Sequence, residues 1–151
     1  MDNKNNDYSI VFSQVQKAYE KNIVINNLNL EIEKGERLIL LGPSGCGKTT
    51  TLRMIAGFEE ITKGDLFMGG ARVNDVAPGE RNIAMVFQSY ALFPHLSVWE
   101  NITFGLQLQK LPQAEIEKRT RQALELLHLE GYENKKTHEL SGGQKQRVAL
   151  C

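Results

Sequence analysis

The sequence carries no surplus of either charge: lysine plus arginine number 18 and aspartate plus glutamate number 18 among 151 residues. No basic tract runs longer than the pair Lys135-Lys136, which leaves no electrostatic footprint for nucleic acid or anionic lipid. Cysteine is scarce, with only Cys46 and Cys151, far apart and outside any CxxC or Cys/His spacing. Neither a disulfide framework nor a zinc site is suggested, which fits a reducing cytoplasm. Long apolar runs are missing too. The longest aliphatic run is Leu38-Ile39-Leu40-Leu41, far short of the ~20 residues that span a bilayer. The opening MDNKNNDYS is polar and holds no apolar leader core, so direct membrane insertion is not expected and any membrane association goes through a partner. Length does permit folding, since a chain of this size buries roughly two thirds of the surface it exposes when unfolded.

Residues 1–9 read as a short unstructured lead. Ile10-Val11-Phe12, and Leu28, Leu30 and Ile32 alternating with Asn27, Asn29 and Glu31, predict half-buried antiparallel strands that end at a Lys34-Gly35 turn. Arg37 to Leu41 predicts a strand buried on both faces, because its apolar residues do not alternate with polar ones. Thr49 to Ala56 places Leu52, Ile55 and Ala56 at helical spacing, with Gly57 as the stop. Residues 65–76 predict a hairpin around Gly69-Gly70, and Ile83 to Phe87 a second buried strand. After Pro112, Ile116, Ala123, Leu124 and Leu127 share one helical face, while Glu115/Arg119 and Glu117/Arg121 form acid-first pairs on the other.

Between the predicted strand and the predicted helix lies Gly42-Pro43-Ser44-Gly45-Cys46-Gly47-Lys48-Thr49, which fits GxxxxGK[ST]. Glycines let successive N–H groups converge on an anion, and the helix start adds unsatisfied donors and the positive end of its dipole. Lys48 is placed to pair with β- and γ-phosphates, and the Thr49 hydroxyl to ligate Mg²⁺, with Thr50 next in the cradle. A glycine turn that merely caps a helix is the plainer reading, but the pattern arises by chance in roughly one chain of this length in two hundred. Cys46 lies inside the cradle, where helix-end donors and Lys48 would depress a thiol pKa; a small residue tolerated in a tight loop is the simpler account.

A phosphate loop alone leaves kinases, GTPases and motor ATPases open. About ninety residues later comes LSGGQKQRVAL, and the two together resemble the ATP-binding cassette (ABC) transporter ATPases. Gln88 followed by YALFPHLSVWENITFGL, residues 90–106, is similar to the Q-loop of the importer ATPases for sugars, polyamines or ferric iron. The resemblance covers about Ile10 to Leu150. It implies an α/β fold of the P-loop NTPase type, with an N-terminal antiparallel β subdomain and a helical subdomain. Residues 10–88 would form the β subdomain and P-loop core, 89–140 the Q-loop and helical subdomain, and 140–151 the signature and the start of the following helix.

The same resemblance implies site roles and partners. Tyr19 stands where the family stacks an aromatic ring on adenine, and Gln88 where a glutamine approaches Mg²⁺ and the attacking water. Leu140, Ser141, Gly142, Gly143 and Gln144 match the signature that reaches the γ-phosphate of a partner ATPase subunit, with Ser141 also suited to capping a helix. The cofactors implied are ATP and Mg²⁺. The implied partners are a second ATPase subunit and transmembrane permease subunits docked on about residues 90–104, a stretch unusually apolar for a loop. The implied location is peripheral, on the cytoplasmic face of the inner membrane.

In the family the signature helix leads into an apolar strand ending in Asp and Glu, and later a switch histidine. The last acidic residue here is Glu139, and His95, His128 and His138 all precede that point. The expectation is therefore an interrupted reading frame: a core lacking its C-terminal strands, ATP binding without efficient hydrolysis, and marginal stability. A non-hydrolysing nucleotide-binding module and a non-functional gene remnant are the alternatives.

Overall fold

The computed structural model describes residues 8–151, which form two compact units, 8–84 and 85–151, each treated by itself. Residues 1–7 of the expected lead lie outside the described residues, while Tyr8 and Ser9 already belong to the first strand.

In the first unit β1 (Tyr8–Tyr19) and β2 (Asn22–Glu33) form an antiparallel hairpin, with Tyr19 opposite Asn22 at its tip and Phe12 opposite Leu30. β3 (Lys63–Met68) pairs with the other edge of β1, and β4 (Ala71–Arg72) returns beside β3, giving the order β2-β1-β3-β4. Phe12 and Val15 are three apart, so a regular strand would send them to opposite faces. A register shift between them, with Gln14 at φ 51°, brings both into the core. Gly64 lies against this bulge so closely that a Cβ there would collide with the Gln14 carbonyl.

α1 (Lys48–Ala56) packs Met54 into the same core as Phe12, Val15, Ile25, Leu66 and Val73. It stops where Gly57 takes φ 80°: Gly57 N–H donates to the Met54 carbonyl and Phe58 N–H to that of Arg53, satisfying two orphan acceptors. Arg81 adds a second donor to the Met54 carbonyl and meets that of Ile55. Its buried guanidinium donates to Met54 and Ile55 at 2.7 and 2.8 Å, and to Val73 and Val76 at 2.7 and 3.0 Å, so one cation ties the helix end to the segment after β4.

Two expected strands are not formed. Arg37 to Leu41 and Ile83 to Phe87 belong to no strand, and Ile39 and Leu41 are 76% and 87% exposed, with Val86 also exposed. A strand exists only as part of a ladder, and among the described residues no strand pairs with either segment.

The second unit packs α2 (Val98–Leu108), α3 (Gln113–Leu126) and α4 (Gly142–Ala149) around Val98, Ile102, Leu124, Leu129, Leu140 and Val148. The expected apolar loop over 90–104 is thus a loop only as far as Ser97. Ser97 and Glu100 form a reciprocal capping box: Glu100 N–H donates to Ser97 Oγ at 3.2 Å, and Ser97 N–H to Glu100 Oε2 at 2.6 Å. On α3 the Glu115–Arg119 pair forms at 2.6 Å, whereas Arg121 lies over the Trp99 ring, 5.6 Å from its centroid. No helix among the described residues is long and apolar enough to cross a membrane.

Candidate nucleotide-binding site

The phosphate-loop residues stand at the start of α1. Gly42, Pro43, Ser44, Gly45 and Cys46 are exposed, Gly47 is buried, and Lys48, Thr49 and Thr50 form the first helical turn. Gly47 occupies the cap position with φ 95°, and a Cβ there would meet Ile25 of β2 at 3.0 Å. Only glycine combines that dihedral with so close an approach. Because Gly47 has no side chain to cap the helix, the first N–H groups of α1 remain available as donors. Lys48 folds its ammonium back to the loop: Nζ donates to the carbonyls of Gly42 and Pro43, each at 2.7 Å, and stands 3.4 Å from Cys46 Sγ. An exposed loop that leads into an uncapped helix start, with an ammonium held beside it, fits a polyphosphate, and the hydroxyl of the exposed Thr49 fits an accompanying divalent cation. A cavity of about 580 Å³ in this unit lies elsewhere, lined in part by Glu59, Lys63, Asn74 and Arg81.

Tyr19 ends β1 and is 43% exposed. Its strand is tied to the loop through β2, since Lys17 pairs with Ile25, the residue packed on Gly47. Lys17 itself is buried. Its ammonium lies 3.1 Å from Glu59 Oε2, donates to the Glu60 carbonyl at 2.8 Å, and sits 4.7 Å from the Tyr19 ring centroid. Hydrogen bonding from Lys17 is the main cause holding the Glu59 carboxyl below its usual range, opposed by burial and assisted by the Tyr19 hydroxyl. Sequence inspection missed this cluster; a lysine two residues before an aromatic, within a strand whose face turns inward, was its only trace.

In the second unit Gln88 is exposed in a tight turn closed by Tyr90 N–H to the Phe87 carbonyl at 2.9 Å. Tyr90 and Ala91 then take φ 64° and 53°, left-handed values that non-glycine residues rarely adopt. Tyr90 leads back to the signature: a methyl on Gly142 would stand 3.5 Å from the Tyr90 hydroxyl. Leu140 is buried in the core, and Ser141 caps α4 by accepting from Gln144 N–H at 3.2 Å while its own N–H donates to Gln144 Oε1 at 2.8 Å. Gly142 and Gly143 therefore open α4 with exposed backbone. Asn101, also missed from sequence, shapes the loop before α2: its side chain accepts from Phe93 N–H at 2.8 Å and donates to the carbonyls of Phe93, Leu96 and Ser97.

Comparison with known proteins gives the chain a family and relatives. The family model described as ABC transporter matches residues 25–151. The osmoprotective compounds uptake ATP-binding protein GgtA of Synechocystis sp. is 54% identical over 142 residues, 94% of this chain and 39% of its own length. The oligosaccharides import ATP-binding protein MsmX of Bacillus subtilis is 56% identical over 137 residues, 90% of this chain and 38% of its own. Among solved structures, the dimeric ATP-binding cassette MJ0796, in a post-hydrolysis state bound to ADP and Pi, superposes with a TM-score of 0.83 at 32% identity, covering 93% of this chain and 67% of that one. The chain spans about two fifths of the length of the curated relatives it matches.

Proposed function

The chain belongs to the ABC transporter family, and from that premise we propose that it forms the nucleotide-binding portion of the ATP-binding subunit of an importer. The observation that carries the reading is the phosphate loop itself, with its open helix start and the Lys48 ammonium held on the carbonyls of Gly42 and Pro43. On binding, Lys48 exchanges those carbonyls for the β- and γ-phosphates, and the N–H groups of the loop and first turn surround the same oxygens. Thr49 holds Mg²⁺, which when bound neutralises charge on the phosphoryl oxygens. Tyr19 offers the exposed ring on which adenine lies.

Gln88, exposed at its turn, is assigned to the ion and the attacking water, and the backbone of Gly142 and Gly143 to the γ-phosphate held by a second subunit. Support for a dimer comes from the cassette MJ0796, itself described as dimeric. Permease subunits dock on about residues 90–104, where Phe93 and Phe104 are partly exposed with ring centroids 4.7 Å apart. That docking places the subunit on the cytoplasmic face of the membrane. Relatives at 54% and 56% identity are named for different solutes, so solute choice is placed in other subunits.

Calorimetric titration with Mg·ATP tests the reading. Saturable binding that weakens at least about a hundredfold in Lys48→Ala is expected, from the loss of a charge-assisted phosphate contact. Undiminished affinity in that variant, or preference for GTP over ATP, overturns it.

A further inference from the structure

A lysine ammonium buried beneath an aromatic ring needs a reason. Lys17 sits in the inward-facing part of β1 with only 7% of its surface exposed, where charged residues are rare unless paired. It is paired on one side by Glu59, whose own side chain is 18% exposed, and fixed by the Glu60 carbonyl. It also lies over the Tyr19 ring, at a centroid distance within the range of cation–π attraction. An apolar pair of similar volume in place of Lys17 and Glu59 would avoid desolvating two charges, and replacements of a whole buried pair are often neutral or stabilising. Packing alone therefore does not account for the cation.

We infer that Lys17 and Glu59 are positioning residues for the purine: together they fix the Tyr19 ring with its opposite face presented as the platform on which the base stacks. Lys17 occupies one face, which bars the base from it and leaves the other. Glu59 and Glu60 lie just past the end of α1, the helix that begins at the phosphate loop. Ile25, opposite Lys17, packs on Gly47 at the other end of that helix. The platform and the cradle are thus braced to one another at two points, so the ring needs little further ordering when a base arrives. The inference rests on the nucleotide-binding reading above and adds residues that the phosphate chemistry does not require.

The test compares two ligands on the 151-residue chain: Mg·ATP, and Mg·tripolyphosphate, which lacks a purine. Lys17→Met and Glu59→Gln are expected to weaken ATP about fivefold, the worth of one partly desolvated cation–π contact, and to leave tripolyphosphate unchanged. Lys17→Arg, which keeps the cation, retains ATP affinity. In a Tyr19→Ala background, itself weakened about thirtyfold for ATP, Lys17→Met adds nothing further, because its effect passes through the ring. If Lys17→Met does not fold, Glu59→Gln, which keeps its shape, carries the same comparison. Unchanged ATP affinity, an equal loss for both ligands, or a full loss persisting without Tyr19 overturns the positioning role while leaving the phosphate site standing. A wild-type chain that binds neither ligand overturns the nucleotide reading, and this inference with it.

Discussion

The ammonium of Lys48 stands 2.7 Å from the carbonyl oxygen of Gly42, and as close to that of Pro43. The cation that the motif reserves for phosphate is therefore already engaged, by weak neutral acceptors on its own loop. Replacing it by alanine removes two charge-assisted hydrogen bonds, and about 1 kcal/mol of unfolding free energy should go with them in the absence of nucleotide. Mg·ATP should raise the melting temperature of the wild type by mass action and leave that of Lys48→Ala unmoved. Scanning both proteins with and without nucleotide checks this.

Gly47→Ala should be worse for the fold than for any contact it makes with ligand. The new Cβ would stand 3.0 Å from Ile25 while its backbone is held at φ 95°. A loss of about 2 kcal/mol is expected in urea denaturation, and Ile25→Val should recover almost none of it, since valine keeps the Cγ1 that makes the closest contact and the dihedral strain remains.

Arg81→Lys tests the guanidinium clamp. Four carbonyls on two segments accept from one planar fork, and an ammonium with three donors on a different stem cannot reach them all. Burial pulls the Arg81 pKa down, but arginine stays charged. The expected cost is about 3 kcal/mol, read as a lower denaturation midpoint with an unchanged slope.

Asn101→Ala should free the loop before α2 without melting the helix. The Phe93 amide loses its acceptor, and the carbonyls of Phe93, Leu96 and Ser97 lose a donor. Hydrogen exchange at the Phe93 amide should accelerate about tenfold or more, while amides in the middle of α2 keep their protection.

Acid stability should respond to Glu59. Its carboxyl is held below the usual value near 4.5, chiefly by the hydrogen bond from Lys17. A depressed carboxyl pKa contributes stability that is fully present above the unfolded value and is lost as pH falls through the folded one. Glu59→Gln should therefore narrow the stability gap between neutral pH and the region below 4.5, which denaturant titrations at both pH values would reveal.

Local chemistry was legible in the sequence and long-range pairing was not. The phosphate loop, the stop at Gly57 and the cap at Ser141 each depend on a few adjacent residues, and the structure forms all three as local geometry. The start of α2 was equally local, since Ser97 and Glu100 spell a capping box, but the apolar run around them reads as an unusual loop. Arg37 to Leu41 and Ile83 to Phe87 have the composition of buried strands, yet composition cannot supply the neighbour that a ladder requires. Lys17 with Glu59, and Arg81 with the end of α1, pair across 42 and 27 positions or nearly so, separations that leave no periodic trace.

Ile39 and Leu41, turned toward water on a segment outside the sheet, make the molecule sticky at that place. A bare aliphatic ribbon without a ladder is a template for any other extended chain that meets it. Handling properties follow from that: solutions of the isolated polypeptide should turn cloudy on concentration or warming, and glycine-to-charge edits elsewhere would not cure them. A lysine at position 39 or 41 would.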